Sequence, residues 1–152
     1  MQNISRAALA VVVAGSVVGC ASSGPTGREA LTGSIAAGKS RLVLYRTSPL
    51  GFAIQPSYQV NGKAVAASQP NGFFVCELPP GRHEVSIANL NPSLTGGSDK
   101  VAVDLAPGGT SYVKAEPQIG LVVGAITLTA VTEGQGRIDT ADLHRIEGAC
   151  GA

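Results

Sequence analysis

The sequence predicts an all-β protein: a small antiparallel β-sandwich with one short C-terminal helix. Three observations carry the prediction. Short runs place apolar side chains at every second position, as in Phe74, Cys76 and Leu78 or Val101, Val103 and Leu105, which directs one row of each strand inward. Twenty glycines and nine prolines punctuate those runs at intervals suited to roughly seven or eight strands. No long amphipathic helix alternates with the strands, so a parallel βαβ sheet is not expected. At 152 residues the chain has room for one domain.

The elements follow in order. Residues 1–19 read as an export signal, with Arg6 before a 13-residue apolar run from Ala7 to Gly19. A bilayer-spanning helix needs about 20 residues, so this run is too short to span as a stable helix. Val17-Val18-Gly19-Cys20 resembles a bacterial lipobox, in which the cysteine thiol receives a diacylglycerol and becomes the mature N-terminus. By that resemblance Cys20 is the lipidation site, and Ala21 after it implies the periplasmic side of the outer membrane rather than the inner membrane. Residues 20–40, rich in Gly, Ser and Ala, read as a flexible linker of roughly 25 Å average reach.

The β-domain is expected over 41–133. Arg41–Arg46 is a strand with arginines at both ends and apolar residues between. Phe52–Val60 continues in extended form, with Pro56 marking an edge or bulged strand. Asn61-Gly62 is a two-residue hairpin signal, because both residues tolerate positive φ, and Lys63–Ala67 returns from it. The central feature is Gly72–Ile87, two strands forming a hairpin around the Pro79-Pro80-Gly81 corner, where pairing must stop. Residues 89–98 read as a loop. Lys100–Leu105 and Thr110–Glu116 read as a strand and its paired return, and the apolar run Ile119–Val131 as a buried strand pair. Within 134–152, Asp139 is placed to cap a helix over 139–147 whose Leu143 and Ile146 share one face.

Charge and chemistry bound the function. Removing residues 1–19, with Arg6 as their one charged side chain, leaves 10 basic and 10 acidic residues. A neutral mature chain does not fit nucleic-acid binding or polybasic membrane binding. His83 and His144 lack partners at metal-ligand spacing, so no metal and no cofactor is expected. No Gly-x-Ser-x-Gly elbow is present, Asp99, Asp104 and Glu116 form no evident acid/base pair, and no catalytic residue is assigned. The glycine stretches 107–109 and 134–136 read as turns, and Phe73 as a packed side chain rather than a carbohydrate platform. With Cys20 committed to lipid, Cys76 and Cys150 remain: they either bridge, closing a loop of about 75 residues, or stay thiols with Cys76 in the core. An even remainder of two favours the bridge.

Taken in order, Arg41–Arg46, Val60–Lys63, Asn71–Phe74, Leu78–His83 and Pro107–Val113 resemble the DUF2846-type bacterial lipoprotein domain, over about residues 40–132. That family is of unknown function and is similar in style to PEGA and carboxypeptidase-regulatory domains. The resemblance therefore implies a fold and no catalytic residues. The expectation is a lipid-anchored, non-enzymatic binding or envelope-assembly module with an envelope protein as partner. The alternatives are a periplasmic cell-wall-active enzyme, with a site gathered from distant residues, and a small apolar-ligand carrier.

Overall fold

A computed structural model describes residues 23–88, 98–118 and 125–150. The expected export signal, Cys20, the stretch 89–97 and the first half of the Ile119–Val131 run lie outside the described residues. Among the described residues nine strands form two sheets: β1 (Ser40–Arg46), β2 (Ser57–Val60), β3 (Lys63–Ala67), β4 (Gly72–Leu78), β5 (Gly81–Ala88), β6 (Ser98–Leu105), β7 (Thr110–Pro117), β8 (Ile126–Val131) and β9 (His144–Arg145). The first sheet has the order β8-β7-β1-β4-β9 and the second β3-β2-β5-β6. Two short helices among the described residues, α1 (Gly27–Ala30) and α2 (Glu133–Thr140), complete the all-β sandwich.

Period two explains the core between the sheets. Leu42, Leu44, Phe74, Cys76 and Leu78 point inward from the first sheet, against Tyr58, Val60, Val85, Ile87 and Leu105 from the second. The intervening residues of the first sheet are buried as well. Val43, Tyr45, Phe73 and Tyr112 form a second cluster on its outer face, joined by Leu143 and by Ala30 and Leu31 beside α1. All seven residues of β1 are therefore buried. A strand covered on both faces reads as a continuous apolar run, and Leu42-Val43-Leu44-Tyr45 is one.

Several expected pairings differ from those observed. The Pro79-Pro80 corner does turn the chain, but it carries it from one sheet to the other: β4 pairs with β1, and β5 with β2 and β6. The same holds for Ala106–Gly109, so β6 and β7 are not a hairpin. Instead β7 runs parallel to β1 and antiparallel to β8, and β9 runs parallel to β4, which makes the first sheet mixed rather than antiparallel. The described part of the 119–131 run is one strand, β8, and not a strand pair. Pro56 precedes β2, and β2 lies inside its sheet rather than at an edge; the other reading, a bulged strand, holds, since its register with β3 shifts between Tyr58 and Gln59. Asn61-Gly62 closes the β2–β3 hairpin with φ of 50° and 79°, as a type I′ turn requires.

The helix also lies earlier than expected. Thr132 caps α2, its Oγ1 accepting from Gln135 N at 3.3 Å, and the helix ends at Thr140. Gly134 and Gly136 are helical rather than in a turn. Gly136 sits flat against Tyr112, where a Cβ would lie 2.1 Å from the ring. Beyond Asp142 the backbone is extended, so Leu143 and Ile146 face opposite ways: Leu143 joins the outer cluster and Ile146 the inner core.

The expected linker is held to the domain from Gly24 onward. Gly27 N donates to Leu143 O, Arg145 N donates to Pro25 O, and Arg28 makes a two-pronged contact with Asp142 at 3.0 and 3.2 Å. Gly24 and Gly27 permit this approach, since Cβ atoms there would lie 2.3 and 2.1 Å from the carbonyl oxygens of Arg145 and Thr140.

Candidate functional site

The two arginines that bracket β1 organise the polar chemistry of the fold. Arg46 is fully buried, and its guanidinium is held among the described residues by five backbone carbonyls. Nε donates to Ser48 O at 3.3 Å, and Nη1 donates to Ile54 O at 2.8 Å and Ser68 O at 3.1 Å. Nη2 donates to Leu50 O and, at 3.1 Å, to Gly51 O. Arginine alone offers five N–H donors in a fixed fork, so it fixes an irregular loop from within. Burial lowers its pKa, because neutral dipoles replace water around the cation. Tyr58 and Ser68 lie buried in this region, their hydroxyls without partners among the described residues. Burial raises the Tyr58 pKa, with the Arg46 charge opposing that shift. The loop 47–56 held in this way presents Leu50 and Phe52 to solvent, 50% and 75% exposed.

Arg41, at the other end of β1, is buried against both carbonyls and a carboxylate. It donates to Leu31 O at 3.2 Å, Gly33 O at 3.1 Å and Glu77 Oε1 at 3.2 Å. Glu77 Oε2 accepts from Ala36 N at 3.2 Å, so the pair holds the 31–36 segment from two sides.

On the outer face of the first sheet, Tyr45 Oη donates to Asp139 Oδ2 at 2.7 Å. Gln135 Nε2 donates to the other oxygen of Asp139 at 2.6 Å, and Lys114 Nζ lies 3.8 Å from Oδ2 and 2.8 Å from Glu116. Asp139 thus ties α2 to β1 and does not cap a helix. Burial, followed by the hydrogen bond to Asp139, raises the Tyr45 pKa, so the phenol is a neutral donor. Tyr45 meets Tyr112 edge to face, with ring centroids 6.5 Å apart. This network is structural cement, with the tyrosine fully buried.

The remaining sequence candidates are dispersed. His83 accepts at Nδ1 from Asn61 and donates from Nε2 to Pro79 O, both at 2.9 Å, which fastens the corner to the β2–β3 turn. His144 Nδ1 donates to Gly24 O at 2.8 Å. Asp104 pairs with Arg82, Glu116 with Lys114, and Asp99 accepts from Leu128 N. Phe73 is buried in the outer cluster. Among the described residues no three His, Cys, Asp or Glu side chains gather as metal ligands. Cys76 and Cys150 form a disulfide with Cα atoms 5.7 Å apart. Ala149 N donates to Val65 O at 2.9 Å, so the tail 146–150 crosses from the first sheet to the second and covers one open side of the sandwich. Clefts of about 480 and 300 Å³ flank this tail, the second lined by Val60, Val65, Leu78 and His83.

The two arginine cages were not foreseen from sequence. The one available signal was a cation at each end of an otherwise apolar strand.

No family model matches the chain, and no solved structure matches it. A curated protein of Haemophilus influenzae, described as an uncharacterized protein, is 27% identical over 100 residues. The match takes in 66% of this chain and 56% of that protein, so the chain spans little more than half the relative's length.

Proposed function

We propose that the chain is a lipid-anchored protein of the bacterial cell envelope, attached through Cys20 to the periplasmic side of the outer membrane. Its sandwich acts as a non-enzymatic binding or assembly module for an envelope protein. The observation that carries the reading is the Cys76–Cys150 disulfide, because such bonds persist in oxidising compartments and are rare in the cytosol. It agrees with the lipobox-like Val17–Cys20 sequence closing an export signal. The chemistry of the domain supports a module without catalysis, since both ring nitrogens of His83 are engaged in fastening turns. The DUF2846-type resemblance fits the same reading.

Two measurements test it. Mass spectrometry of the mature chain from membranes is expected to show a diacylglyceryl group on Cys20, lost in Cys20→Ser; an unmodified N-terminus rejects the anchor. Photoreactive residues placed one at a time over both sheets in intact cells are expected to capture one dominant envelope protein. Absence of any adduct from every position rejects the partner.

A further inference from the structure

We infer that the loop 47–56, with Leu50 and Phe52 at its exposed surface, is a lipid-contacting finger that seats the sandwich on the bilayer. The inference rests on the lipid anchor proposed above and adds which end of the domain meets the membrane.

The first argument is reach. Gly24 is fixed to the domain by His144, and Ile146 N bonds Phe73 O, so Gly24 lies near the level of Phe74 on β4. That is about two residues, or roughly 7 Å, from the end of the sheet where Arg46 pairs with Gly72. Cys20 precedes Gly24 by four residues, which span at most about 14 Å when extended. A lipid on Cys20 therefore keeps the domain against the bilayer instead of on a long tether. The chain runs from Thr26 back to Gly24 away from the Arg46 end, so the four residues must turn back to bring that end down, and their span exceeds the roughly 7 Å needed. The same span also reaches the opposite end of the sheet, and the chemistry of the finger decides between the two.

The second argument is the chemistry of the finger. Thr47-Ser48-Pro49-Leu50-Gly51-Phe52-Ala53-Ile54-Gln55-Pro56 contains no charged side chain, so no ion must be desolvated when it meets lipid. The usual obstacle to placing an irregular loop near lipid is its unpaired backbone. Here Arg46 donates to the carbonyls of Ser48, Leu50, Gly51 and Ile54, four of the ten in the loop. The cation itself stays buried in the sandwich. Gln55 Nε2 donates to Phe52 O at 2.9 Å, and Ser48 Oγ accepts from Leu50 N at 3.2 Å, which ties up more of the loop's polar atoms. The result is a preordered loop whose outward atoms are largely apolar, suited to about 5–10 Å of penetration at the headgroup boundary.

The test uses the mature, lipid-bearing chain in vesicles of phosphatidylethanolamine and phosphatidylglycerol containing doxyl-labelled lipid. An environment-sensitive dye is placed on Phe52→Cys or, at the opposite end beside the Asn61-Gly62 turn, on exposed Ala64→Cys. The Cys76–Cys150 bond is left intact. Expected is a blue shift and several-fold stronger doxyl quenching at 52 than at 64. Equal or absent quenching at 52 on an acylated chain overturns the finger while leaving the anchor standing. A blue shift at 52 that requires added envelope protein assigns the loop to a protein partner and also overturns it. A chain whose mass shows no acyl group overturns both the anchor and this inference.

Discussion

The two ends of β1 solve one problem in two ways. Each buries an arginine, yet Arg41 shares its site with the Glu77 carboxylate and three segment carbonyls, whereas Arg46 is held by five carbonyls alone. At the Arg41 end an opposite charge offsets part of the desolvation cost, and the held segment is 31–36, which follows the strap, residues 24–30 with α1. At the Arg46 end only dipoles offset it, and the arginine is integral to a loop inside the β-domain. The difference teaches that Arg46 specifies the shape of its loop, while Arg41 fastens a piece laid on from outside. Removing the first should be felt by the whole domain, and removing the second mainly by the segment.

Arg46→Met gives the largest expected effect, because it leaves five acceptors to find water or stay unpaired. A loss of at least about 3 kcal/mol is expected in urea unfolding, given roughly 1–3 kcal/mol for each buried group left unsatisfied. Arg46→Lys should recover only a minor part, since an ammonium has three donors and no fork. Equal stability of Arg46→Lys and wild type would show that charge, not the fork, matters at this end. Arg41→Met should cost less, about 1–2 kcal/mol globally, and hydrogen exchange should speed up chiefly over 31–36. If exchange rises evenly across the sandwich, the two ends are equivalent and the contrast fails.

Gly27→Ala sharpens the comparison by attacking the strap without touching either arginine. The new Cβ would lie 2.1 Å from Thr140 O, so the 24–30 segment must lift. Protease cleavage within 24–36 should accelerate, with the urea midpoint moved by no more than about 1 kcal/mol equivalent. Unchanged cleavage would place the strap's attachment at Arg41 alone.

The smallest effect is set by pH. Hydrogen bonds from Arg28 hold Asp142 below its usual pKa, and bonds from the Thr26 backbone and then its hydroxyl do the same for Glu29. Both folded values lie below the unfolded ones. Their contribution is therefore complete above the ordinary carboxylate range near about 4, and is lost as pH falls through the lowered values. Exchange at the amides of Gly27 and Leu31 should rise only in that acid range, and added salt should mimic part of the rise because these carboxylates are exposed. A rise centred near neutral pH would reject the two carboxylates as its source.

Much of the fold was legible in residue order. Val85 and Ile87 face the core as their spacing requires, and Asn61-Gly62 turns as its φ tolerance requires. What was not legible is partner choice. A tight corner between two alternating strands looks the same whether it closes a hairpin or switches sheets, so Pro79-Pro80-Gly81 could not distinguish them. The pairing of β1 with β7 joins residues about 70 apart, which no local pattern encodes. Helix α2 was hidden by its glycines, which are poor helix formers and are used here for contact with Tyr112. Leu143 and Ile146 suit a helix face by spacing alone, and only the backbone conformation decides otherwise. The strap reads as a tether because the groups that hold it, Asp142 and His144, lie more than 100 residues further along the chain. Cys20 depends on sequence throughout.

The Cys76–Cys150 bond makes a covalent ring of the segment that contains β5 to β9 and α2. A single backbone cut anywhere within that ring leaves one molecule, with both new ends tied to β4. On a gel run without reductant, the nicked chain should stay as one band, and it should split into two only when the bond is reduced. Proteolytic damage on this side of the molecule is thus retained rather than shed, whereas one cut ahead of Gly24 frees the entire folded domain from whatever holds its N-terminus.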